Sequence, residues 1–282
     1  MEKYSKTIEN QTFGEERALY GIKDSLVKDC QFAGEEDGES CLKETSNLLI
    51  ENCKFMLRYP LWHNVNSTIK NCYMADTCRA PLWYNDNLLI SSLECVGVKA
   101  LRESNKITLS KCTFDSIEFG WKCQELNIYN LKLASTYPFF MSSNMHIEKL
   151  DMVGKYSFQY VENVYIQDSV LDTKDAFWHS KNVTVRNSVV KGEYLGWYSE
   201  NLTLINCKII GTQPLCYAKN LKIIDCEMEA CDLSFENSTV DVKVNGNIDS
   251  IKNPIGKIVA DSIGEVIIDE YTRGECEIVT KK

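Results

Sequence analysis

The chain has 282 residues, with 31 Lys and Arg against 40 Asp and Glu, and therefore a net charge of −9. A hydrophobic fraction of 44% with only 5 Pro and 14 Gly allows a full core and excludes a disordered or low-complexity chain. The acidic net charge and the lack of a Lys/Arg run argue against a nucleic-acid partner. The sequence contains no stretch of about 18 apolar residues, so it predicts no transmembrane span.

The first residues and the cysteines indicate a compartment. The chain opens on polar sequence rather than on the apolar segment of a secretion signal, so we expect a cytoplasmic protein. Thirteen Cys, an odd number, then predict reduced and mostly buried thiols rather than a disulfide framework. No C-x-x-C pair occurs, and the sequence predicts no metal site and no cofactor.

Most of the chain is a tandem repeat. The nine residues from Asn47 to Phe55 match those from Asn201 to Ile209 and from Asn220 to Met228, each with Asn-Leu first and Cys seventh. Successive copies are 23, 19 and 21 residues apart, and 19 residues apart thereafter. The seventh position holds Cys30, Cys53, Cys72, Leu93, Cys112, Leu131, Leu150, Ser169, Ser188, Cys207 and Cys226.

Each copy alternates apolar and polar positions. Positions 2 and 4 are apolar and positions 3 and 5 are mostly polar, which is typical of a strand with one buried face. The Cys position continues that face, so we predict core packing for it. Positions 1 and 6 are often Asn, which tolerates the left-handed backbone of a tight bend. Position 4 holds Ile50, Ile69, Ile90, Leu109, Ile128, Ile147, Ile166, Val185, Leu204, Ile223 and Val242.

Nineteen residues suit one coil of a parallel β-helix, in which short strands are separated by tight turns. We therefore predict an all-β, right-handed parallel β-helix of about twelve 19-residue coils, with stacked Asn side chains forming ladders. The whole chain, 1–282, is expected to be a single domain with coils over 25–244. Residues 1–24 and 245–282 are expected to cap the two ends, and residues 33–40 to form an acidic surface loop.

The chain resembles a family of uncharacterised bacterial proteins. The resemblance is carried by the segment from Ile8 to Tyr20, by the coils, and by the segment from Ile251 to Gly256. It implies the single-stranded right-handed β-helix, or pectin-lyase-like, architecture. It implies no activity, because the family has none established to carry over. The adjacent Asp residues, the Asn-Thr-Asp triplet and the Gly-His-Gly and Arg-Ile-Lys motifs of the pectin-degrading relatives do not occur here, so no catalytic residues can be transferred.

One column of the repeat contains all five tryptophans, four residues before the first Asn of each copy. The column before it is apolar and is predicted to point inward, so alternation places the Trp column and its Tyr- and His-rich neighbour at the surface. They could form a platform for an elongated ligand such as a carbohydrate, or an aromatic ladder that only stabilises the coils. The candidate ligand-binding residues are Trp62, His63, Trp83, Tyr84, Arg102, Glu103, Trp121, Tyr160, Asp175, Trp178, His179, Trp197, Tyr198 and Tyr217.

Two further functions stay open. A carbohydrate-active lyase or hydrolase could use Asp175, His179 and Tyr160 for acid–base chemistry. It could instead use a second cluster whose cations could bind an acidic sugar, namely Arg58, His63, Arg79, Tyr84, Arg102 and Glu103. Alternatively, the aromatic strip of a scaffold protein could dock a protein partner or a second copy of the chain. The sequence predicts carbohydrate as the ligand class without naming a substrate or an oligomeric state.

Overall fold

The computed structural model describes residues 4–281 and divides the chain into two compact units, the first ending at Met145 and the second beginning at His146. Each unit is built from parallel strands, and no helix occurs in the described residues. The predicted all-β parallel β-helix is confirmed. No segment between residues 4 and 281 is therefore a helix that could cross a membrane.

Among the residues that the structure describes, the first unit contains twelve short to medium strands. They are β1 Lys6–Glu9, β2 Thr12–Phe13, β3 Ser25–Lys28, β4 Gln31–Phe32, β5 Leu49–Glu51, β6 Lys54–Phe55, β7 Val65–Lys70, β8 Tyr73–Met74, β9 Asp86–Ser91, β10 Glu94–Cys95, β11 Asn105–Asp115 and β12 Gln124–Thr136. Strand β13, Ser143–Lys155, includes the position of the division.

The second unit continues with twelve strands in the part described, which ends at residue 281. They are β14 Glu162–Gln167, β15 Val170–Lys174, β16 Lys181–Arg186, β17 Val189–Lys191, β18 Glu200–Ile205, β19 Lys208–Ile210, β20 Leu221–Glu229, β21 Thr239–Val244, β22 Asn247–Lys252, β23 Ile255–Ala260, β24 Ser262–Ile267 and β25 Cys276–Thr280.

Strands from successive coils pair in parallel and form two ladders within each unit. In the first unit β5, β7 and β9 belong to one ladder and β6, β8 and β10 to the other. In the second unit β14, β16 and β18 form one ladder and β15, β17 and β19 the other. In most coils the partner of a residue lies 19 positions further along, as Val183 pairs with Leu202, so equivalent positions of the repeat become columns of neighbouring side chains.

Asparagine forms the bend between the two ladders. Asn187 and Asn206 have φ values of 48° and 49°, in the left-handed region that Asn tolerates. The Asn206 amide donates to the Asn187 side-chain oxygen at 3.0 Å, and the Asn187 amide donates to Asp168 at 3.3 Å. The predicted Asn ladders are therefore present, and this one begins on a carboxylate, which can only accept.

The third side of each coil is not a strand but a segment in which alternate residues have a left-handed backbone. Asp175, Phe177 and His179 alternate with other residues and have φ values of 52°, 60° and 53°. The amides of Asp175 and His179 donate to carbonyl oxygens of the following coil, whereas the amide of Phe177 donates to Ser157 of the preceding coil. These hydrogen bonds hold the backbone in the left-handed region, which is usually unfavourable for bulky residues. This segment points Phe177 into the core and His179 outward.

The core follows the predicted columns. The apolar residues just before the Trp column are buried, and Phe158 stacks on Phe177 with ring centroids 5.2 Å apart. All thirteen cysteines are free thiols and all but Cys276 are buried, as the sequence predicts. Burial raises the pKa of the Cys95 and Cys123 thiols to about 12, so these thiols are protonated and serve as small apolar side chains.

The ladders extend into both segments that the sequence predicts as caps. Strands β1 and β2 pair with β3 and β4, and β23 and β25 continue from β21. The fold therefore contains about 14 coils instead of about twelve. The C-terminal coils were not visible in the sequence because their lengths depart from 19 residues, as the pairings of Thr239 with Ile255 and of Gly256 with Cys276 show. The N-terminal coil keeps the 19-residue spacing, since Lys6 pairs with Ser25, but its residues do not follow the pattern of the repeat.

Candidate functional site

The five tryptophans are half-buried, and every indole N–H donates a hydrogen bond within its own unit. Each Nε1 donates at 2.6–2.8 Å to a backbone carbonyl of the next coil. The Gln159 side chain stands in the same column and donates in the same way to Asp175 at 3.1 Å. All six acceptors have a positive φ; they are Ala80, Lys99, Tyr137, Asp175, Tyr194 and Gln213.

The Trp column is therefore part of the framework. Trp62 stacks on Trp83 at 5.4 Å, and Trp178 stacks on Trp197 at 5.6 Å, with ring planes within 6° of parallel. Rings in such stacks cover each other's faces, which a sugar ring would need for stacking. Of the two interpretations that the sequence left open, these contacts match the structural ladder for the tryptophans.

The neighbouring column in the second unit has a different exposure. Tyr160, His179, Tyr198 and Tyr217 form a continuous stack with centroids 5.0, 5.0 and 5.1 Å apart. The first three are exposed, Tyr160 by 51% and Tyr198 by 47%. The inner rings of the stack have both faces covered, so they present edges, hydroxyl groups and ring nitrogens to a ligand. We call these four residues the aromatic column.

The first unit uses its candidate residues internally. His63 stacks on Tyr84 at 5.0 Å. The Arg102 guanidinium lies between Trp83 and Trp121, 4.9 and 5.1 Å from their centroids, and its Nε is 3.3 Å from Glu103. These cation–π contacts and the ion pair fix the position of Arg102, which the sequence indicated as a candidate to bind an acidic sugar.

The acidic loop predicted over 33–40 fixes a second cation of that cluster. Arg58 Nη1 lies 3.0 Å from Glu36, and Arg58 Nε lies 3.3 Å from Glu39. Two of the three arginines offered for an acidic ligand, Arg58 and Arg102, are thus already paired with carboxylates of their own unit.

A groove of about 270 Å³ runs beside the aromatic column of the second unit. One wall is the aromatic column, and the other is formed by charged residues two positions further along each coil. The groove is lined by His179, Lys181, Tyr198, Glu200, Tyr217 and Lys219. The structure thus brings three predicted site residues together with three that sequence reasoning missed. Their signal was present as alternating Lys, Glu and Lys directly before Asn182, Asn201 and Asn220.

Several polar groups in this groove have no partner within the part of the chain that the structure describes. The His179 ring and the Tyr198 hydroxyl make no hydrogen bond there, and Lys181, Glu200 and Lys219 form no ion pair. A ligand with hydroxyl or charged groups would find donors and acceptors of both kinds. The arrangement is therefore chemically equipped to bind a polar, extended molecule.

One end of the aromatic column is held by an ion-pair network. Tyr217 bonds to Glu236, whose carboxylate lies 2.9 Å from Lys252. Burial, then the hydrogen bond to Glu236, raises the pKa of Tyr217 to about 12. Both act against the phenolate, the first by desolvation and the second because Glu236 needs the phenolic proton.

We expect this tyrosine to make stability fall in alkaline solution. The unfolded tyrosine ionises near pH 10 while the folded one keeps its proton, so the unfolded state is favoured as the pH rises from about 10 to about 12. The urea midpoint should therefore drop more between pH 8 and pH 11 in the wild type than in Tyr217→Phe. Equal drops would show that Tyr217 titrates alike in both states.

Of the residues predicted for acid–base chemistry, Tyr160 and His179 stack on each other with ring centroids 5.0 Å apart. Asp175 is buried, which raises its pKa, and its nearest cation is Lys174 at 3.9 Å. No hydrogen bond or ion pair joins Asp175 to His179 in residues 4–281, since the His179 ring stacks between Tyr160 and Tyr198. The same residues contain no group of three or more His, Cys, Asp or Glu that could hold a metal ion.

The fold and these columns define the class of the protein, an all-β parallel β-helix whose coils are held together by aromatic and Asn ladders. The chain belongs to the DUF3737 family, proteins of unknown function, which matches residues 6–280. The family resemblance predicted from the sequence is thus confirmed. A comparison with curated proteins finds no match.

Three solved structures illustrate what the fold is similar to. The A-module of mannuronan C-5 epimerase from Azotobacter vinelandii has 11% identity and a TM-score of 0.28, covering 84% of this chain and 91% of that one. A tailspike protein of E. coli bacteriophage HK620, solved with a pentasaccharide, has 6% identity and a TM-score of 0.38, covering 98% and 70%. The surface adhesin PfbA of Streptococcus pneumoniae has 9% identity and a TM-score of 0.30, covering 83% and 75%. Similarities this low assign neither an activity nor a ligand to this chain.

Proposed function

We propose that the protein binds an extended carbohydrate chain along the groove of the second unit. The observation that carries the proposal is the open groove itself, which crosses three coils between the aromatic column and the charged residues Lys181, Glu200 and Lys219. The His179 ring, the Tyr198 hydroxyl and the three charged side chains have no hydrogen-bond or ion-pair partner within the described residues, and a polyhydroxylated chain supplies both donors and acceptors.

The repeat supports an extended ligand. Successive coils are about 4.8 Å apart, so the groove offers one aromatic and one charged side chain at each step along its length. The stacked rings are already fixed by their neighbours, so binding orders few side chains and costs little conformational entropy. Sugar units would lie against ring edges and hydroxyl groups, because the ring faces are covered.

Isothermal titration with neutral and acidic hexasaccharides tests the proposal. We expect at least one class to bind, and Tyr198→Ala to weaken that binding about tenfold or more by removing a hydroxyl and the centre of the wall. Tyr165→Ala is the matched control, because Tyr165 also stacks on a histidine, His146, but lies outside the groove. Binding by no hexasaccharide, or equal losses in the two variants, would contradict the proposal.

A further inference from the structure

Charged residues alternate along the outer wall of the groove. Glu162, Lys181, Glu200 and Lys219 occupy the same position in four successive coils, where each is paired in register with the next. We call them the charged column. All four are exposed, and within residues 4–281 none of them forms an ion pair. These side chains are therefore exposed and are not held in contact with each other.

The spacing of these charges is regular. One coil advances about 4.8 Å, so the Cα atoms of Lys181 and Lys219 are about 10 Å apart, with Glu200 midway. Each lysine can bind an anionic oxygen by a charge-assisted hydrogen bond. Glu200 can accept a hydrogen bond from a hydroxyl or amide group, but it repels an anion at its own step.

We infer that the groove selects a polysaccharide in which every second sugar carries an acidic group. The acidic sugars face Lys181 and Lys219, and the intervening sugar presents a hydroxyl or amide N–H to Glu200. The inference rests on the proposed function, because it names the class of carbohydrate that the same groove takes. A uniformly acidic chain would meet Glu200 with an anion, and a neutral chain would leave both lysines without a counter-charge.

A second copy of the chain is the rival occupant. The charged column is complementary to itself in antiparallel orientation, since Glu162 would then face Lys219 and Lys181 would face Glu200. The strip is small for that purpose, however. Four coils of a strip about 15 Å wide cover only about 300 Å², against the roughly 800 Å² per partner of a stable complex. A narrow, periodic strip fits a single extended chain better.

Three hexasaccharides of equal length test the inference by titration calorimetry. They are a hyaluronan fragment, which alternates a uronate with an N-acetylated sugar, an oligogalacturonate, in which every sugar is acidic, and neutral chitohexaose. We expect the alternating chain to bind about tenfold or more tightly than the others, with an affinity that falls as salt rises. Lys181→Gln with Lys219→Gln should lower its affinity to that of the neutral chain.

Two variants control this experiment. Lys155→Gln with Lys222→Gln removes the same charge from exposed positions of the second unit outside the groove and should leave every affinity unchanged. Glu200→Gln should raise the affinity for oligogalacturonate severalfold, because it removes the repulsive carboxylate. No change in that affinity would overturn the role assigned to Glu200.

The outcomes separate the inference from the proposed function. If all three chains bind equally and Tyr198→Ala weakens them, the carbohydrate groove stands and the charge selection fails. If none binds, both fail. Sedimentation that shows dimers lost in Lys181→Glu and restored in Lys181→Glu with Glu200→Lys would assign the charged column to a second copy and overturn the inference.

Discussion

Replacing Gly192 with alanine is expected to destabilise the second unit by about 4 kcal/mol or more. A Cβ at this position would lie 1.6 Å from the carbonyl oxygen of Thr173 and 2.4 Å from its carbonyl carbon. These are backbone atoms of the preceding coil and cannot rotate away, so the coils would have to separate beside the pairing of β15 with β17. Urea denaturation followed by circular dichroism measures the loss.

Gly246→Ala provides the matched control in the same unit. Gly246 also has a positive φ, of 95°, but a Cβ there would have no neighbour within 4 Å. Alanine therefore introduces only backbone strain, which we expect to cost about 1–2 kcal/mol. Comparable losses in the two variants would mean that backbone conformation, and not the close approach of coils, makes Gly192 necessary.

The strands and the core were predictable because the copies of the repeat show the same alternation of apolar and polar residues. The alternation around Ile50 and its equivalents fixes which face of each strand is buried, and those residues are buried in every coil. The Asn positions predicted the left-handed bends, since Asn is one of few residues that adopt that backbone at low cost. These features follow from local preference, and local preference is readable in a single sequence.

The left-handed third side was not predictable in the same way. Phe177, His179 and Tyr198 have φ values of 53° to 60°, a region that aromatic residues seldom occupy. Hydrogen bonds to neighbouring coils hold them there, and such bonds exist only once the coils are stacked. Local preference points away from this conformation, so only tertiary structure could reveal it.

The candidate site was predicted in outline but not in its chemistry. The sequence placed Trp178 and His179 side by side on one strip, yet the indole of Trp178 bonds to the Tyr194 carbonyl whereas His179 faces the groove. Side-chain direction depends on the left-handed backbone, so alternation along the sequence could not distinguish their roles. The charged wall was overlooked because Lys181 and Glu200 resemble ordinary surface residues until their columns are aligned.

Replacing Phe177 with alanine is expected to cost about 4 kcal/mol of stability. Phe177 is 1% exposed and stacks on Phe158 at 5.2 Å, so the substitution leaves a cavity between coils whose ladders prevent collapse. Tyr198→Ala is its counterpart, because Tyr198 is also a stacked aromatic residue with a similar positive φ but is 47% exposed. We expect that variant to lose about 1 kcal/mol or less.

The comparison separates burial from ring stacking as the source of stability. Both rings, Phe177 and Tyr198, stack on a neighbour about 5 Å away. Both residues have nearly the same positive φ, so alanine changes the backbone strain equally at the two positions. If burial dominates, the urea midpoint falls far more for Phe177→Ala, and Tyr198→Ala stays folded as the binding experiment requires. Similar losses in the two variants would show instead that the aromatic column stabilises the coils as strongly as the core does. Folding would then require these residues whether or not they bind a ligand.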